Sequence, residues 1–208
     1  MTTQPAGQVV PDDAVRLRRT VGDYIVSIYK IAFGRPGDHD VFRNAEVRWT
    51  DFILPLVLFV VIQVGYAIGT SAEARHLVSI NARATAIVLA IVTFGTAMRF
   101  IVAGAVTWGL ARLVAAPERV LPGLVGYLWT IAALVAPGIM IVRFGISAHE
   151  PWWALVMHGV AAVAVAIFFP MRIMKVAFAL PGMGTAFLLA VAGSIVSFVV
   201  DFLLAGLF

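Results

Sequence analysis

Four polar side chains lie deep within otherwise apolar sequence, and they are the residues best placed to do chemistry: Gln63, Arg99, His158 and Asp201. Arg99 and Asp201 are the formal charges well inside the apolar stretches, and they have opposite sign. A charge in hydrocarbon is costly, so such residues turn toward the interior of a helix bundle and pair where they can. Pairing Arg99 with Asp201 would lower the penalty for both. The pair would act either as a buried ion bridge that sets helix register or as a proton- or ion-linked site. In the second case His158 is the titrating member, because imidazole changes charge near neutral pH. Helical rise puts Arg99 about 20 Å above the stretch end marked by Arg112. Gln63, His158 and Asp201 each lie six or seven residues from the opposite end of their own stretches. All four therefore fall in the outer half of the bilayer as a candidate intramembrane polar cluster.

No catalytic set accompanies them. His39, His76, His149 and His158 are dispersed and lack the HExxH spacing of a zinc peptidase. The absence of cysteine removes thiolate ligands, disulfides and cysteine nucleophiles together. Ser194 and Ser197 have no nearby base, and serine in a span commonly bonds its own helix backbone. Gly182-x-Gly184 follows Pro181 and reads as a turn, because a phosphate loop requires a preceding strand and a basic partner. We expect no enzyme activity, cofactor or metal site.

The elements that carry these residues are five apolar stretches: Phe52–Gly69, Thr85–Val114, Val120–Val142, Trp152–Phe169 and Gly184–Phe208. A spanning helix needs about 20 mainly apolar residues. The chain is 62% hydrophobic and only 12% charged, against about 25% charged in soluble domains. The expected fold is all-α, a five-transmembrane-helix bundle (residues 52–208) behind a cytoplasmic N-terminal segment (residues 1–51). A pI near 10 does not imply a nucleic-acid partner. Residues 1–51 hold seven Lys/Arg and seven Asp/Glu, and the remaining arginines are scattered rather than clustered on one face. The lipid bilayer is the expected partner, with other proteins or a second copy of the chain as further candidates. Residues 1–13 have neither the basic nor the apolar region of a cleavable signal.

Loop charges orient the bundle. With the N-terminus inside, the inner segments hold eleven Lys/Arg and the outer segments three, Arg75, Arg83 and Arg143. Cytoplasmic enrichment in basic residues then places the N-terminus in the cytoplasm and the C-terminus outside, in a bacterial inner membrane. Ahead of the first span, Leu17, Val21, Ile25, Ile28 and Ala32 recur at helical spacing. They predict an amphipathic helix over Ala14–Phe33, capped by Asp12 or Asp13. This helix would lie on the inner membrane surface, pack on the cytoplasmic end of the bundle, or do both. Trp49, Tyr127, Trp129, Trp152 and Trp153 are expected at membrane interfaces. The Gly65-x-x-x-Gly69 spacing predicts close helix packing within the bundle. Pro137 predicts a kink packed against a neighbouring helix, and Pro170 predicts the end of the fourth span.

The order of these features, with certain short motifs, resembles bacterial Yip1-domain proteins. Ile31-Ala-Phe-Gly-Arg-Pro36 followed by Val41-Phe42-Arg43 is similar to the element ahead of their first span. Asp51-Phe-Ile-Leu-Pro55-Leu-Val-Leu-Phe59 looks like the start of that span. Gly109-Leu-Ala-Arg-Leu-Val114, Gly123-Leu-Val-Gly-Tyr127 and Ala136-Pro137 resemble their passage from second to third span. The resemblance covers roughly residues 28–208. It implies a five-span architecture and a partner-binding or membrane-organising role. The acidic-tyrosine-glycine-proline motif of eukaryotic members is not evident, so their trafficking role is not carried over. A small transporter or channel subunit built on the polar cluster is the alternative.

Overall fold

The computed structural model describes residues 20–34, 47–70, 82–144 and 151–205. These form seven helices: α1 (Val21–Phe33), α2 (Thr50–Thr70), α3 (Ala82–Val114), α4 (Pro117–Thr130), α5 (Ala136–Phe144), α6 (Trp152–Ala177) and α7 (Met183–Ala205). A π-helical segment, Ile131–Val135, joins α4 to α5, so the three make one continuous third span. No strand occurs among the described residues. Four spans are long and apolar enough to cross a membrane (α2, α3, α4 through α5, and α6), and α7 adds the shorter apolar stretch Met183–Val196. Large apolar side chains such as Val61, Phe94, Val163 and Leu188 are exposed on the bundle surface, as expected where lipid rather than water is the solvent. The protein is an all-α, multi-pass membrane bundle.

The third span occupies the centre. Its Tyr127, Leu128 and Ala132 pack with Phe100 of α3, Met174 of α6 and Leu189 and Ala190 of α7. Gly123 is required there, because an added Cβ would overlap the ring of buried Phe178. Gly65 and Gly69 behave in the opposite way. Nothing lies within 4 Å of a Cβ added at either position, so this glycine face is not used inside the bundle, contrary to the expected packing. The reason is register: Phe59, Gln63 and Tyr66 present the inward face of α2, and Gly65 and Gly69 fall on the other.

α1 is shorter than its sequence pattern and turns a different stripe inward. Thr20 caps it with Asp23 in a capping box: Thr20 N–H donates to Asp23 Oδ2 at 2.7 Å, and Asp23 N–H donates to Thr20 Oγ1 at 3.3 Å. The helix therefore starts at Val21 and not at Ala14; Asp12, Asp13 and residues 14–19 lie outside the described residues. Tyr24, Ser27, Ile28, Ile31 and Ala32 are buried, a 3.6-residue stripe, whereas Val21 is exposed. The stripe packs on Val125 and Trp129 of α4 and on Ile173 and Ala177 of α6. Tyr24 stacks on Trp129 with 5.6 Å between ring centroids and planes 8° apart. α1 is thus packed on the bundle.

Two further expectations are corrected, and one holds. Tyr127 and Trp129 are core residues, 4% and 1% exposed, and not interfacial anchors; they are aromatic because they fill the seams beside α1, α3 and α7. Trp152 and Trp153 are exposed, as an interfacial pair should be. The fourth span does not stop near Pro170 but runs through it to Ala177. It ends where Ala179 takes a left-handed conformation (φ 51°). Leu180 N–H then donates to the Lys175 carbonyl at 3.0 Å and Ala179 N–H to the Val176 carbonyl at 3.2 Å. This is the Schellman arrangement that satisfies the final carbonyls of a helix.

Candidate functional site

A cavity of about 290 Å³ lies between the spans, and every span contributes to its wall. Helical periodicity places the contributors. On α2, Phe59, Gln63 and Tyr66 follow the four-then-three spacing of one face. On α3, Arg99 and Ala103 are one turn apart. Tyr127, Ile131 and Val135 continue one face of α4 into the π segment, and Ile139 and Met140 extend it on α5. Ala166 and Pro170 come from α6, and Ala190, Gly193 and Ser194 from α7. Most of the wall is apolar, with Gln63, Tyr66, Arg99, Tyr127 and Ser194 set into it. A mainly apolar pocket with a few convergent polar groups is the usual form of a small-molecule site. Among the described residues that line it, Arg99 carries the one formal charge, and its planar guanidinium suits a carboxylate or phosphate.

Two close approaches shape this wall. A Cβ at Gly193 would lie 2.8 Å from Tyr127 Oη and 3.6 Å from Thr107 Oγ1, so only glycine lets α7 close over these two hydroxyls. The π segment is the second. Its extra residue per turn sends Ala136 N–H to the Ile131 carbonyl, and π turns often occur at functional sites. Pro137 follows directly. Without an N–H it cannot bond the carbonyl four residues back, that of Ala133. Tyr29 of α1 supplies a donor instead, its hydroxyl 3.4 Å from the Ala133 oxygen. Beside Pro137 the expected kink takes the form of a π-helical segment, and the neighbour that answers the freed carbonyl is the N-terminal helix. Arg172 Nη2 donates to the Gly34 carbonyl at 2.6 Å and ties down the far end of α1.

The cavity brings together two of the four expected polar residues, Gln63 and Arg99. His158 does not line it. Its Nδ1 lies 2.7 Å from the Ala154 carbonyl, one turn back on its own helix, and a carbonyl can only accept, so Nδ1 carries the proton in that bond. Asp201 belongs to α7, but its side chain lies outside the described residues, and the Arg99–Asp201 pairing lies outside them too. Ser194 bonds its own helix as expected, Oγ to the Ala190 carbonyl at 2.9 Å. Tyr66, Tyr127 and Tyr29 were not singled out by sequence reasoning as site residues. For Tyr66 and Tyr127 the available signal was a tyrosine hydroxyl within an apolar run, since a buried Tyr O–H needs a partner; Tyr29, 44% exposed on an amphipathic helix, carried no such signal. Among the described residues no three His, Cys, Asp or Glu side chains converge to hold a metal ion.

Comparison with known proteins yields no matching family model, no matching curated sequence and no matching solved structure.

Proposed function

We propose that this chain is a non-enzymatic membrane protein of Yip1-like architecture that binds a small amphipathic ligand inside its bundle. The observation that carries this reading is the cavity shared by all the spans, apolar with Gln63, Tyr66 and Arg99 in its wall. Those groups orient and hold a ligand rather than exchange protons with it: an amide, a phenol and a guanidinium that stays protonated. The Ser194 hydroxyl is engaged with its own helix. The Yip1-like reading is supported by the short motifs and by the helix order, and it extends binding to protein partners or a membrane-organising role. The loop arginines support an N-terminus in the cytoplasm, a C-terminus outside and a bacterial inner membrane.

A second reading, a small transporter or channel subunit, is favoured by one observation. The third span departs from α-helical geometry at Ile131–Val135, where it lines the cavity. Transporter sites are commonly built at broken helices.

Native mass spectrometry of the protein purified in mild detergent tests the main reading. The expected result is a retained small lipophilic molecule that is lost when Ala103→Phe fills the cavity. If both forms carry the same complement, the cavity is not the binding site. A ligand that also crosses proteoliposome membranes through the intact protein would establish the transport reading.

A further inference from the structure

A second hollow, of about 490 Å³, opens on the bundle surface where the start of α2 meets the end of α3 and the start of α4. It is separate from the central cavity and has a graded wall. Arg48 and Trp49 stand at the start of α2, and Trp108 stands one turn before Arg112 near the end of α3. The Arg112 guanidinium lies over the Trp108 ring, 4.9 Å from its centroid. Deeper along the same helices the wall becomes Phe52, Gly104 and Leu121. From Arg112 to Gly104 is eight residues, a descent of about 12 Å. Trp49 is 83% exposed and Trp108 40% exposed, so both indole rings are open to a lipid. The neighbouring carboxylate, Asp51, is buried and accepts from the Arg48 backbone N–H at 2.8 Å.

We infer that this hollow binds an anionic glycerophospholipid from the leaflet on the side of α1. The gradient matches such a molecule from end to end. Its phosphate meets the Arg48 and Arg112 side, where guanidinium groups form charge-assisted bonds to phosphate oxygens. Its glycerol backbone passes the two indole rings at the depth such rings favour. An acyl chain lies along the apolar wall of Phe52, Ala105, Leu121 and Leu124. Charge complementarity selects the occupant: Arg48 stands in the wall and Arg112 lies over Trp108 beside it, so a lipid with net negative charge is preferred over a zwitterionic one. Juxtamembrane basic residues favour anionic lipid by roughly fivefold each.

Quenching of tryptophan fluorescence by brominated lipid tests this on the full chain. The background carries Trp152→Phe and Trp153→Phe, which removes the exposed indoles at the start of α6 and leaves Trp49 and Trp108 as the exposed reporters. The protein is reconstituted in phosphatidylcholine vesicles with brominated phosphatidylglycerol or brominated phosphatidylcholine at equal mole fraction. The expected result is stronger quenching by phosphatidylglycerol, with an apparent preference of about 25-fold, about fivefold from each of the two arginines. Arg48→Gln with Arg112→Gln should bring the two lipids close to equal, and Arg112→Lys should retain most of the preference. Equal quenching in the parent overturns the proposal without requiring any arginine substitution. A preference undiminished in the double glutamine form overturns it as well, by assigning the recognition to another face.

Discussion

The third span and the fourth span have nearly the same mean hydropathy, 2.0 and 2.1, yet over an apolar 18-residue stretch of each, 56% of the third is buried in protein and only 6% of the fourth. The first span is more apolar than either, at 2.3, and the corresponding stretch of it is 11% buried. In water this would be paradoxical, because the most apolar segment should be the most buried. In a bilayer it is ordinary. Lipid tails are as apolar as a protein core, so transfer gives no preference for the interior, and close packing and polar contacts decide which helix is central. The third span has the features that packing uses: Gly123 against Phe178, Trp129 against Tyr24, and Tyr127 over Gly193.

The largest expected difference is between two tryptophans. Trp129→Ala should cost about 3 kcal/mol, because it removes a fully packed ring and leaves a cavity. That is the low end for such truncations, since lipid rather than water is the alternative environment. Trp152→Ala, at a residue 76% exposed, should cost under about 0.5 kcal/mol. Thermal unfolding in detergent measures both, and similar losses would break the contrast between the spans.

The glycines sharpen the same contrast. Gly123→Ala should destabilise by about 1–3 kcal/mol through overpacking against Phe178. Gly65→Ala, with open space around it, should be neutral or stabilise by up to about 1 kcal/mol, the helix-propensity gain of alanine over glycine. A loss at Gly65 equal to that at Gly123 would mean that α2 is packed on its outer face as well.

The link between α1 and the kinked span predicts coupling. Tyr29→Phe should cost about 0.5–1 kcal/mol, the value of one ordinary hydrogen bond. In a Pro137→Ala background the cost should shrink, because residue 137 can then donate to the Ala133 carbonyl itself. A double-mutant cycle reads the difference; strict additivity would show that the Tyr29 hydroxyl does not answer the proline. The smallest effect belongs to the end of α6. Ala179 holds a left-handed conformation (φ 51°), which costs a residue with a Cβ about 1 kcal/mol. Ala179→Gly should raise the unfolding temperature accordingly, and a fall would contradict the cap.

The apolar runs alone determined the class of fold. Backbone groups in hydrocarbon must bond within their own segment, so a long apolar run has little choice but to be a helix. The spans fall where those runs lie, except at Pro170, where α6 continues to Ala177. Proline removes one donor without forbidding a helix that its neighbours support. The costly polar residues Gln63 and Arg99 were also legible, because their expense in lipid marks them as inward-facing. The structure alone decided which helix is central, that His158 turns to its own backbone, and that Tyr29 meets Ala133 across a separation of 104 residues. Hydropathy cannot encode these choices. They depend on the shape of facing surfaces and on which hydroxyl comes within reach of which carbonyl, and both arise only once the helices have packed.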